Sequence, residues 1–194
     1  NEIILFEQIV KAEYLATDAG LTVSVVTEAV NNKYANQELS YKMIRSIYAC
    51  PNGIYRMTPG IEGLVQTSNN VAKVSIAKDG EFSILCLTRS SVDSEKMDLA
   101  QSITAAFELC GAQTSFGSEY PGWAPQPDAP VIKLMEKIFT ELFGDKIHVN
   151  AIHAGLECGI IGGNYPGMQM VSFGPNIYGA HSPDERVQIS SVQK

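Results

Sequence analysis

Two alternating stretches, 71–77 and 81–88, flank Lys78-Asp79-Gly80, and this feature restricts the fold more tightly than any other. Asp-Gly between alternating strands marks a tight hairpin, because the turn needs positive φ that glycine accepts. A hairpin sets register, and register sets faces. Ala72, Val74 and Ile76 are predicted to share one face, as are Phe82, Ile84 and Cys86 on the partner strand. That apolar surface needs cover, and two helices flank the hairpin to supply it. The first opens at Asn36, a good capping residue, carries Leu39, Met43, Ile44, Ile47 and Tyr48, and ends at Pro51-Asn52-Gly53. The second starts at 91–93, aligns Val92, Leu99, Ile103, Phe107 and Cys110 on one stripe, and stops at Gly111.

Residues 21–26 alternate as L-T-V-S-V-V, and 112–118 can return as a further strand. The order from about 21 to 118 then reads β-α-β-β-α-β, the split βαβ or ferredoxin-like arrangement. One sheet with both helices on a single face is expected. Ahead of it, 2–16 carries Ile3, Ile4, Leu5, Phe6, Ile9, Val10 and Leu15 among polar residues and reads as a helix closed by Gly20.

Residues 120–127 hold three prolines, which places a domain boundary near Trp123: 1–123 as one domain and 124–194 as a separate α/β piece. Trp123 reads as a packing anchor between the segments. Asp128 is expected to cap a helix whose Val131, Leu134, Met135, Ile138, Phe139 and Leu142 form the best amphipathic stripe of the chain, with Gly144 as its stop. Residues 147–152 and 168–173 read as strands, the second apolar on both faces and therefore central and parallel. Ser182-Pro183-Asp184-Glu185 resembles a helix start, with both acids favoured in a first turn. The class is α/β.

A net charge of -7 argues against a sequence-independent nucleic-acid binder, which needs clustered Lys and Arg. No apolar run is long enough to span a membrane, and Asn1 opens the chain without the basic start of a secretory leader. Cys50, Cys86, Cys110 and Cys158 lack CxxC spacing and read as reduced thiols of a cytoplasmic protein.

All three histidines fall within 148–187, together with Glu157, Glu185 and many glycines. Chemistry, if there is any, belongs there. His148 reads as structural. His153 and Glu157, four apart, would share a helix face, as a satisfied core pair or as metal ligands. HAGLECG (153–159) and MVSFGPNIYGAHSPDERV (170–187) resemble aminoacyl-histidine dipeptidases, within the superfamily of di-zinc exopeptidases. EYPGWAPQPDAPV (119–131), LTRSSVDS (87–94) and GLVQTSNNVAKV (63–74) extend the resemblance, which thins before about residue 50.

The resemblance implies zinc, two ions per intact enzyme, and a dipeptide as substrate. It makes 1–123 part of a lid or dimerisation domain, compatible with a homodimer, and 124–194 the C-terminal section of a catalytic domain. The family's metal-binding histidine falls on His181. Arg89 falls where the lid presents an arginine to the dipeptide's terminal carboxylate. Gly155 and Glu157 fall in the lining of the substrate pocket. The chain has no His-x-Asp and no Glu-Glu pair, which carry most of the family's ligands and its proton shuttle, so no catalytic residue is assigned and the chain resembles a fragment, inactive alone. Two rivals stand: a non-catalytic dimerisation or binding module, and a related exopeptidase of different specificity.

Overall fold

The computed structural model describes residues 2–27, 29, 36–77, 80–153 and 156–193. These fall into two compact units, 1–34 and 35–194.

In the first unit, α1 (Glu2–Glu13) is a regular helix with a Glu7–Lys11 ion pair at 2.6 Å one turn apart. Residues 21–26 form no strand. Their alternation suits one, but a strand exists only through a ladder partner, and Val25 and Val26 stay exposed.

The second unit opens with α2 (Gln37–Ala49). The Asn36 side chain accepts the Leu39 N–H at 2.8 Å, the predicted cap. β1 (Gly53–Met57), β2 (Val65–Ile76) and β3 (Phe82–Ser90) form an antiparallel sheet in that order. α3 (Asp93–Glu108) follows directly. The hairpin pairs Val74 with Ile84 and Ile76 with Phe82, in the expected register. A bulge between Val71 and Lys73 then shifts the pattern, so Val71 opposite Cys86 takes the inward place predicted for Ala72. Leu99, Ile103 and Phe107 of α3 and Cys50 form the core, with Ile47, Val71, Ile84 and Cys86 packed against it. Both helices therefore share one face of one sheet.

Strand β1 was not anticipated, and β2 starts six residues before the predicted 71. Its first half, Val65-Gln66-Thr67-Ser68-Asn69-Asn70, is too polar to read as a strand. It holds because its buried groups are paired. Gln66 and Thr67 donate to the Glu95 carboxylate on α3, Thr67 also meets Ser90, and the Asn69 amide donates to the Pro51 carbonyl. Arg56 of β1 joins the same Glu95. Residues 112–118 pack near the core through Ala112 but form no ladder, and Ser118 at φ 55 breaks the extended run.

Beyond the prolines, α4 (Pro130–Phe143) begins at Ala129 rather than on an Asp128 cap, with Pro130 in its first turn and Gly144 left-handed at its end. Proline at the first position has no N–H to cap. α5 (Glu157–Asn164) follows, then the two-residue strands β4 (Ile177–Tyr178) and β5 (Arg186–Val187), and α6 (Ile189–Val192). Residues 147–152 and 168–173 carry no strand, because neither finds a hydrogen-bonding neighbour among the described residues.

Candidate functional site

The site forms on the sheet face turned away from α3. Thr67 and Ser90 are register partners on the helix side. Alternation therefore puts the next pair, Ser68 and Arg89, on the opposite face. The loop before α5 brings His153 to that face, with its Nε2 2.6 Å from the Ser68 hydroxyl. The imidazole also meets the Val65 backbone. Burial holds the His153 pKa below its ordinary value, and the Arg89 guanidinium pushes it the same way, against the Val65 hydrogen bond. His153 is thus neutral near pH 7. Arg89 is half-buried and has no acidic partner among the described residues.

Val65, Arg89 and His153 border a cavity of about 650 Å³, whose wall also includes Leu87, Trp123 and Ile152 and reaches Ile103 and Phe107 of α3. Residues 120–123 are fastened to the start of α3. Lys96 donates to the Tyr120 carbonyl at 2.7 Å, and the Gly122 N–H donates to Asp93 at 2.9 Å. Burial pushes the Asp93 carboxyl up, but Lys96 and Gly122 outweigh it and hold the group low. Two glycines permit the close approach: a Cβ at Gly122 would lie 2.6 Å from the Ser91 carbonyl oxygen, and one at Gly159 2.7 Å from that of Pro121.

The sequence-predicted residues divide here. Arg89 and His153 come together. Glu157 does not share a helix face with His153: it is exposed in the first turn of α5, and His153 precedes that helix. Gly155 lies outside the described residues. His148 is exposed. His181 sits in the loop joining β4 to β5, exposed, at a left-handed φ of 64, its N–H donating to the Glu185 carboxylate at 3.1 Å. Ser182 to Glu185 therefore start no helix. They turn a hairpin, with the Ser182 N–H on the Gly179 carbonyl and the Glu185 N–H on that of Ser182. Asp184 and Glu185 do not act as first-turn acids.

Ser68 was missed, because nothing in a polar run marks one serine over its neighbours. Trp123, predicted as a packing anchor, is also cavity wall.

All four cysteines are free, as expected. Burial and the neighbouring Cys86 push the Cys50 thiol up to about 12, so it is no nucleophile. No group of three or more His, Cys, Asp or Glu side chains is placed to hold a metal ion among the described residues. A zinc site takes about four ligands, so the described residues do not by themselves make up a zinc centre.

The fold matches part of the structure of a dipeptidase. No family model matches the chain. It is 38% identical over 188 residues, 96% of its length, to the cytosol non-specific dipeptidase of Escherichia coli (strain K12). Its structure matches that of aminoacylhistidine dipeptidase from Vibrio alginolyticus with a TM-score of 0.84 at 35% identity, over 98% of this chain. The chain spans only 38% of the first relative and 39% of the second. The similarity to the first relative covers 96% of this chain and so extends upstream of about residue 50. Among the described residues no helix is long and apolar enough to cross a membrane.

Proposed function

We propose that the chain is a portion of a cytoplasmic, zinc-dependent dipeptidase hydrolysing Xaa-His dipeptides of the carnosine kind, and that it supplies the surface receiving the substrate's free carboxylate. The supporting observation is Arg89, a half-buried guanidinium in a cavity wall with no acidic partner among the described residues. A shielded carboxylate needs a countercharge, since an unpaired buried charge is costly, and the planar guanidinium offers two parallel donors. Held there, the dipeptide has one end anchored and its amide bond at a fixed reach.

Gly155 would let the substrate approach backbone closely, and Glu157 would stand at the pocket's rim. His181 would give one imidazole to zinc, with the remaining ligands from outside these residues. Bound zinc would supply an activated water to the amide carbonyl. In this reading 1–123 belongs to a lid or dimerisation domain and 124–194 to a catalytic domain, and the enzyme is compatible with a homodimer.

A second reading, of broad dipeptide specificity, draws support from the Escherichia coli relative, described as non-specific. No contact described here is committed to a histidine side chain. The full-length protein is expected to hydrolyse β-alanyl-histidine and to act poorly on its C-terminal amide. Equal rates on acid and amide would remove the carboxylate role of Arg89. Equal rates on Xaa-His and histidine-free dipeptides would favour the broad reading. No hydrolysis of any dipeptide would remove the enzyme reading and leave the binding module.

A further inference from the structure

We infer that His153 and Ser68 are positioning residues, a neutral imidazole–hydroxyl latch that fastens the loop before α5 to the sheet face presenting Arg89. The inference rests on the proposed carboxylate role of Arg89.

Three observations carry it. Ser68 and Arg89 are direct cross-strand partners, so their side chains leave the sheet side by side. Ser68 Oγ lies 2.6 Å from His153 Nε2, a bond joining residues 85 positions apart. The same imidazole meets the Val65 backbone, in an interaction that favours its protonated form. In the latch the neutral ring carries its one N–H on Nδ1. Nε2 then keeps its lone pair, and the Ser68 hydroxyl donates to it. Each partner determines the other's role, as where a ring's second nitrogen sets its tautomer.

A neutral ring suits this place. Burial and the adjacent Arg89 both oppose its protonation. The Arg89 charge therefore stays undivided, without an imidazolium beside it. The latch needs no carboxylate of its own, which would compete with a ligand for the guanidinium. Arg89 on the strand and His153 on the loop line the same cavity, close enough for the guanidinium charge to act on the ring. Loosening the latch should misplace the anion-binding end of the cavity and leave the bond-breaking chemistry intact.

The experiment uses the full-length protein and has two arms. In the kinetic arm, Ser68→Ala and His153→Leu should each raise KM for a free-acid dipeptide on the order of tenfold with kcat nearly unchanged, the pattern for lost substrate binding. Ser68→Thr, which keeps the hydroxyl, and His153→Gln, which keeps an acceptor, should recover most of the loss. The C-terminally amidated dipeptide should be indifferent to all four. A fall in kcat at constant KM, or equal losses for acid and amide, would overturn the inference. In the second arm, nitrogen NMR of the labelled histidines at pH 7.5 should show His153 neutral with its proton on Nδ1, a signature lost in Ser68→Ala. A charged ring, or the proton on Nε2, would sink the latch whatever the enzyme does. A wild-type protein that hydrolyses no dipeptide but shows the Nδ1–H tautomer would sink the dipeptidase reading and the anchoring role with it.

Discussion

Residues 36–110 and 124–193 are both rich in amphipathic pattern, but only the first buries it. Among the described residues the six buried apolar side chains, Met43, Cys50, Leu64, Leu99, Ile103 and Phe107, all belong to the first region. α4 has the cleaner stripe and buries no residue, and Leu134 and Leu142 are 55% and 70% exposed. The stripe of α3 meets the sheet it has just left, through a hairpin and a direct strand-to-helix connection. The stripe of α4 meets no sheet among the described residues. Periodicity says that a helix has a face to bury. Topology decides whether a surface arrives to bury it. The first region thus supplies a rigid platform bearing Arg89, and the second supplies exposed positions, Glu157 in the first turn of α5 and His181 in the β4–β5 loop.

This contrast can be broken at its functional end first. If the second region gives one ligand to a zinc centre, His181→Ala in the full-length enzyme should abolish hydrolysis and lower zinc content, read by metal analysis. The 194 residues alone should retain no stoichiometric zinc and hydrolyse no dipeptide. Two zinc ions per isolated chain after dialysis would contradict the division.

On stability, Leu99→Ala should cost about 2 to 5 kcal/mol, read from denaturant unfolding, because Leu99 is fully enclosed. Leu134→Ala in the same chain should stay within about 0.5 kcal/mol. Similar losses at both sites would mean that α4 is covered after all.

Arg89→Ala should lose roughly 2 to 5 kcal/mol in kcat/KM on free-acid dipeptides, the range for stranding one partner of a buried charge pair. It should leave zinc content unchanged, the reverse of His181→Ala. Loss of zinc in Arg89→Ala would break the separation of roles.

Glu95→Gln should destabilise the platform by about 1 to 3 kcal/mol, since its carboxylate gathers Arg56, Gln66 and Thr67 from two strands. Those bonds, from Gln66 and Thr67 above all, hold its pKa low, so its contribution is present above the ordinary 4.5 and lost as pH falls below it. Unfolding midpoints of wild type and variant should converge in acid. A gap unchanged from neutral pH to pH 3 would refute this.

The smallest effect belongs to His153. Its folded pKa lies below the ordinary 6.5, so the unfolded chain binds the proton more readily. The stability it contributes is present above pH 6.5 and declines as pH falls through that value. His153→Gln should flatten the slope of unfolding free energy between about pH 7 and 5. An unchanged slope would place the imidazole in free solvent.

Local pattern alone determined α2 with its Asn36 cap, the hairpin pairing Val74 with Ile84, and the Leu99-Ile103-Phe107 stripe. Each rests on contacts between near neighbours, where spacing in sequence is spacing in space. Arg89 and His181 were legible only through resemblance, since one arginine at a strand end and one histidine in a loop look ordinary. Tertiary structure decided the rest. It made a strand of polar 65–70 by delivering Glu95 to Gln66 and Thr67, and it left 21–26, 112–118, 147–152 and 168–173 without ladders. It closed 179–185 into a hairpin where a helix start was expected. It also joined His153 to Ser68 across 85 positions, a partnership set by where two segments pack and written in neither one.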